Sequence, residues 1–103
     1  MRVLAIIGSA RKEGNTTALT KIVFEELEKE GVETELIELA GKNLKGCMAC
    51  YKCFQNKDKS CIIKTDEMNE LITKMVEADA VILGSPTYFA NVSSNIKALI
   101  DRA

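Results

Sequence analysis

Apolar and polar positions along this chain fall into blocks whose period changes from one block to the next. Val3-Leu4-Ala5-Ile6-Ile7 is an unbroken apolar run. A strand buried on both faces reads this way, as in a parallel sheet covered by helices. The run ends in Gly8-Ser9-Ala10-Arg11-Lys12-Glu13-Gly14-Asn15-Thr16-Thr17, a turn rich in small, hydroxyl and amide side chains. Leu19, Ile22, Val23 and Leu27 then recur at helical spacing, which predicts a helix with one apolar face. Gly31 is placed to stop it. From Glu33 to Leu39 a second strand mixes Glu33, Thr34, Glu35 and Glu38 with Leu36, Ile37 and Leu39, a polarity suited to a sheet edge.

Residues 40–62 form a long connection with little apolar content. Asp66 or Thr65 then caps a helix in which Met68, Leu71, Ile72, Met75 and Val76 share a face, the methionines as core. Ala80-Val81-Ile82-Leu83-Gly84 reads as a third buried strand, followed by Ser85-Pro86-Thr87-Tyr88-Phe89-Ala90-Asn91. A last helix starts near Val92 or Ser93, with Ile96, Leu99 and Ile100 on its inner face. Strands alternating with helices predict an α/β fold with a parallel sheet, in one domain over residues 1–103.

In such sheets ligands sit beyond the carboxyl ends of the strands. The two most polar loops, 8–17 and 84–91, both follow buried-strand patterns and so belong to one sheet edge, able to contact one ligand. The first runs from a strand into a helix N-terminus, where free N–H groups and the helix dipole favour phosphate. It has neither the Gly-Lys-Ser/Thr ending of a P-loop nor G-x-G-x-x-G. Ser9, Asn15, Thr16 and Thr17 offer neutral donors and Arg11 a charge, a set suited to a phosphate monoester. The plainer alternative is an ordinary βα turn with Asn15 or Thr16 as helix cap.

All four cysteines lie in the connection, as Cys47, Cys50, Cys53 and Cys61, in the spacing C-x2-C-x2-C-x7-C. Three thiols so close can converge on one small centre, and bacterial-type iron–sulfur ligation opens the same way. That makes a [4Fe–4S] site the leading reading. Zinc, which more often uses two separated CxxC pairs, and a metal-free redox or structural thiol group are the alternatives. A bound cluster also gives a reason for so long a loop.

Composition narrows the chemistry further. Fourteen basic and fifteen acidic residues leave a formal net charge of −1, no electrostatic case for nucleic acid or an anionic membrane. No apolar run reaches the ~18 residues of a membrane span. Nothing resembles a signal peptide, so a cytoplasmic protein with reduced thiols is expected. Histidine is absent, which excludes a histidine base, a Ser-His-Asp or Cys-His hydrolase and histidine-ligated metal. No side chain stands out as a proton-transferring catalyst.

Gly8-Ser9-Ala10-Arg11 with Gly14-Asn15-Thr16, Ala78-Asp79-Ala80 leading to Gly84-Ser85-Pro86-Thr87-Tyr88, and Ile96-Lys97-Ala98-Leu99-Ile100-Asp101-Arg102 resemble the flavodoxin-fold NAD(P)H-dependent FMN reductases. The compact cysteine motif narrows the resemblance to the iron–sulfur flavoproteins of anaerobic archaea and bacteria. It implies a flavodoxin-like three-layer sandwich and bound FMN. By position, Ser9, Arg11, Asn15, Thr16 and Thr17 would hold the FMN phosphate. Pro86, Thr87, Tyr88, Phe89 and Asn91 would line the isoalloxazine, largely through backbone atoms. The competing reading of Tyr88 and Phe89 is a cap on the core at a strand end. Lys97 and the Asp101–Arg102 pair match the family pattern, with solvated helix charges as their plainer reading.

The resemblance further implies a homo-oligomer and ferredoxin or NAD(P)H as electron donor. The implied function is an electron-transfer flavoprotein coupling FMN to the cluster on Cys47, Cys50, Cys53 and Cys61. A cluster-free NAD(P)H-dependent FMN or quinone reductase is the first alternative, a non-enzymatic metal-binding or thiol-sensing module the second. The flavodoxin-like strand order is 2-1-3-4-5, and this chain supplies the first three strands and a following helix. The third strand is therefore expected to show an uncovered edge, in a fragment or in a chain that completes its sheet with another copy.

Overall fold

The computed structural model describes residues 1–103. Its elements in order are β1 (Arg2–Ile7), α1 (Asn15–Lys29), β2 (Glu33–Glu38), α2 (Lys52–Asn56), α3 (Met68–Glu77), β3 (Ala80–Gly84) and α4 (Ser94–Arg102). The three strands form one parallel sheet in the order β2-β1-β3. This is the start of the flavodoxin-like order. β1 is central, which is why its apolar run is unbroken. Val3, Ala5 and Ile7 pack with Phe24 of α1 on one face, while Leu4 and Ile6 join Met68, Leu71, Ile96 and Leu99 of α3 and α4 on the other. The three layers are thus α1, the sheet, and α3 with α4.

β2 is an edge strand, as its polarity predicts. Gly31 ends α1 in the left-handed conformation (φ 79°), with Val32 N–H bonded to Leu27 O at 3.2 Å and Gly31 N–H to Glu28 O at 3.0 Å. That pair of bonds satisfies the last carbonyls of the helix in a Schellman arrangement. Ser93 caps α4, its hydroxyl accepting the Ile96 N–H at 3.3 Å. Asp66 Oδ1 accepts the Met68 N–H at the start of α3, at 3.2 Å.

Several sequence expectations are corrected. The stripe Leu19, Ile22 and Val23 of α1 is exposed, and the helix instead turns Thr17, Thr20 and Phe24 inward. β3 is not the buried strand its apolar run alone suggests, and shows the uncovered edge expected of the third strand: Val81 is 38% and Leu83 44% exposed. Val76 on α3 and Ile100 on α4 are also exposed. One cause covers these cases. A sheet of three strands is narrower than the apolar stripes of the helices laid on it, and β3 has no neighbour on its outer side. Finally, the long connection contains a five-residue helix, α2, that periodicity missed because it buries no side chain. No helix is long and apolar enough to cross a membrane.

Candidate functional site

The parallel register places Ile7 level with Glu38 on one side and with Gly84 on the other, so the loops after β1 and β3 leave from the same edge. They touch directly: Gly8 N–H donates to Gly84 O at 2.7 Å. Close approach, not turn geometry, demands glycine at both positions. A Cβ on Gly8 would lie 2.1 Å from Ile96 Cγ1, and one on Gly84 would lie 2.8 Å from Ile7 Cδ1 and 2.9 Å from Thr16 Cγ2.

The first loop is folded on itself. Ser9 is buried, and its Oγ accepts the Arg11 N–H at 3.1 Å. Glu13, in the left-handed region at φ 55°, donates its N–H to Glu38 Oε2 at 2.7 Å. Gly14 begins α1 with no side-chain cap, and the first turn carries no acidic residue. The N–H groups of that turn are therefore available to an anion. Asn15 is exposed and Thr16 half-buried beside it. Arg11 is exposed and in no ion pair, a free positive charge at the rim.

Thr17 departs from its expected place. It is 2% exposed, and its hydroxyl donates to Glu38 Oε2 at 2.8 Å, under the loop instead of toward its open side. Glu38 itself escaped the sequence reading. The Glu13 N–H above all, and the Thr17 hydroxyl, hold its carboxyl below the usual range. The signal was its position at the end of a parallel strand beside the loop.

A cleft of about 440 Å³ begins at Asn15, Thr16, Gly84 and Ser85. Only that end belongs to the edge where the loops meet. The rest runs down the groove between α1 and β3, past Leu19, Val23 and Leu83.

The second loop is tied to α4 through Ser85, whose Oγ accepts the Ser93 N–H at 2.8 Å. Pro86 follows, half-buried, and Thr87 is exposed. Tyr88 and Asn91 exchange backbone bonds of 2.9 and 3.0 Å around Phe89 (φ 47°) and Ala90 (φ 61°), both left-handed. A tight turn of this kind costs strain in residues with a Cβ. Tyr88 is 46% exposed and Phe89 fully so, which overturns the reading of these rings as a core cap. All the residues expected to hold FMN therefore lie in two touching loops, with the Thr17 hydroxyl turned away.

The cysteines lie apart, in the excursion between β2 and α3. All four are free thiols: Cys47 and Cys53 are exposed, Cys50 and Cys61 half-buried. Left-handed residues at Ala49, Tyr51, Lys57 and Lys59 fold the segment tightly. The donor set suits a thiolate-bound metal centre, although no three ligating side chains meet at one point. Cys61 is the anchored member. Asn69 brackets its backbone, accepting the Cys61 N–H at 2.6 Å and donating to Cys61 O at 2.9 Å.

Arg102 at the end of α4 donates Nε–H to Cys61 Sγ at 3.4 Å and pairs with Asp66 through both terminal nitrogens. Burial alone would raise the Cys61 thiol, but the Ile63 N–H and the Arg102 guanidinium outweigh it and hold the thiol below its ordinary value. Arg102 is buried, its side chain fully enclosed, so it is no solvated helix charge. Lys97 and Asp101 do pair with each other near the surface.

A parallel β2-β1-β3 sheet with an uncapped helix start and two touching loops at its carboxyl edge defines an α/β protein of the flavodoxin type. The chain belongs to the NADPH-dependent FMN reductase family, whose model matches residues 1–103. It is 47% identical over 103 residues to an iron–sulfur flavoprotein of Methanocaldococcus jannaschii, covering all of this chain and 52% of that protein. To one from Archaeoglobus fulgidus it is 42% identical over 103 residues, covering all of this chain and 49% of the relative. An FMN-dependent NADPH-azoreductase of Staphylococcus aureus is 32% identical, with 98% of this chain and 51% of the enzyme covered. The chain thus spans about half the length of the curated relatives it matches. Among solved structures, RosB with bound 8-demethyl-8-formylriboflavin-5'-phosphate superposes with a TM-score of 0.75 at 21% identity, over 97% of this chain and 40% of RosB. At that identity the likeness concerns the fold.

Proposed function

We propose that this chain binds FMN at the edge where loops 8–17 and 84–91 meet and holds a [4Fe–4S] cluster on Cys47, Cys50, Cys53 and Cys61, as an electron-transfer flavoprotein. The observation that carries the reading is the direct Gly8–Gly84 contact beside an uncapped helix start. It brings the uncapped start of α1 and a strained loop to one edge of the sheet. Ser9, Arg11, Asn15, Thr16 and the Thr17 backbone take the phosphate. The backbone of Pro86 to Asn91 takes the ring system, and the exposed Tyr88 and Phe89 shield it. Bound there, FMN supplies two-electron chemistry and the cluster one-electron steps. The chain supplies binding and orientation, and none of its side chains is assigned a proton transfer.

The likeness to the iron–sulfur flavoproteins of M. jannaschii and A. fulgidus supports the cluster part of the proposal. Ferredoxin or NAD(P)H is the proposed electron donor, and a cytoplasmic homo-oligomer the proposed form. A second reading, a cluster-free NAD(P)H-dependent FMN or quinone reductase, is favoured by the azoreductase relative.

FMN, iron and acid-labile sulfide per chain, measured on protein purified without oxygen, separate the two. About four iron and four sulfide with one FMN support the first reading. FMN without iron supports the second. Cys53→Ser sharpens the test: it abolishes iron retention under the first and leaves flavin turnover intact under the second. Metal without FMN overturns both.

A further inference from the structure

We propose that Arg102 is the positioning residue of the thiol site: it fixes the Cys61 sulfur in advance, and the other three thiols gather onto that fixed point when metal binds. The proposal rests on the reading of the four cysteines as metal ligands.

The guanidinium carries five N–H donors, and each has an acceptor. Nε–H goes to Cys61 Sγ at 3.4 Å. Nη1 serves Lys45 O at 2.9 Å and Asp66 Oδ2 at 2.5 Å. Nη2 serves Ile63 O at 3.3 Å and Asp66 Oδ1 at 3.1 Å. Lys45 and Ile63 stand on either side of the cysteine excursion, so one buried cation ties both its ends to α4. Asp66 adds a second tie, accepting the Lys45 N–H at 2.9 Å.

A plain structural staple would need only the carbonyls and Asp66. The fifth donor is spent on sulfur, and Asn69 independently clamps the backbone of the same cysteine. Cys61 therefore has its N–H, its carbonyl and its sulfur all engaged. Cys47 and Cys53 are exposed, and the short helix α2 that carries Cys53 buries nothing. Two exposed ligands, the half-buried Cys50 and one rigid ligand form a site that metal binding can close. Only the rigid ligand has a charged donor on its sulfur, and such a hydrogen bond makes a bound cluster easier to reduce.

The test uses the full chain, loaded with iron and sulfide without oxygen, and compares wild type with Arg102→Lys. Lysine preserves the charge facing Asp66 but has no planar Nε–H for the sulfur. Retained iron with a reduction potential shifted to more negative values is the expected result. Retained iron with an unchanged potential overturns the proposal and leaves the cluster reading standing. A wild-type protein that takes up no iron overturns the cluster reading itself, and this proposal with it.

Should the variant fail to fold, the wild type carries the test alone. The sequence has three arginines, at positions 2, 11 and 102. In arginine-¹⁵N-labelled, cluster-loaded protein, the Nε–H signal of Arg102 alone should show a hyperfine shift. No shifted arginine signal overturns the proposal.

Discussion

Asp66 and Arg102 show how much one pair of charges can decide. Both side chains are almost entirely enclosed, at 5% and 0% exposure, and the guanidinium and carboxylate meet as a fork on a fork. Removing one partner of such a pair leaves the other buried and uncompensated, which costs about 3–5 kcal/mol. Asp66→Asn is expected to lose stability of that order in urea unfolding at neutral pH.

The same pair sets an acid limit. Arg102, the main cause, brings Asp66 from 3.8 to about 2 in the folded chain. A depressed carboxyl contributes stability that is present above its unfolded pKa and is lost as pH falls through the folded one. Stability should therefore drop between about pH 4 and pH 2. That part of the acid transition should be missing from Asp66→Asn, as seen by circular dichroism against pH.

At the scale of elements, the edge where the loops meet depends on how closely β1 approaches α4. Gly8 leaves no room for a side chain, since its Cβ would sit 2.1 Å from Ile96 Cγ1 and 2.6 Å from Ser93 Oγ. Gly8→Ala is expected to push β1 and α4 apart at a cost of about 1–3 kcal/mol. It should also weaken FMN retention, read by flavin fluorescence after gel filtration. Ser93→Ala is gentler. It removes the side-chain cap of α4, and thermal unfolding should report a loss of about 1 kcal/mol. The Ser93 N–H stays bonded to Ser85, so the second loop keeps its anchor.

For the whole molecule, the decisive feature is apolar surface with no cover. Leu19, Ile22 and Val23 on α1 and Val81 and Leu83 on β3 are all exposed, and β3 lacks an outer neighbour. Patches of this kind drive association, as do open strand edges. Sedimentation velocity should show mass rising with concentration for this chain, and Leu19→Lys with Val23→Lys should shift it toward monomer.

Much of this architecture was legible in the residues. β1 read as a doubly buried strand because its side chains alternate between two apolar layers. β2 read as an edge because four of its six residues are polar. Gly31 marked the end of α1 because only glycine takes a left-handed cap without cost. The two site loops were legible as well, since polar residues after buried strands in a parallel sheet share an edge by topology alone.

Other features were not written in any local pattern. The apolar stripes of α1, α3 and α4 have the right period for burial, but periodicity does not say how wide a sheet lies beneath them. Arg102 looked like one more charge on an amphipathic helix, because its partners lie far along the chain, at Lys45, Cys61, Ile63 and Asp66. Glu38 and Thr17 likewise found each other only across β1 and its loop. By itself the sequence determined every element but the short α2, the parallel character of the sheet and the residue types at both candidate sites. These follow from short-range period, turn chemistry and composition. Only the tertiary structure decided which charges are buried and paired, which thiol is anchored and which helix stripes are left bare. Burial and pairing depend on what distant segments bring to one point in space.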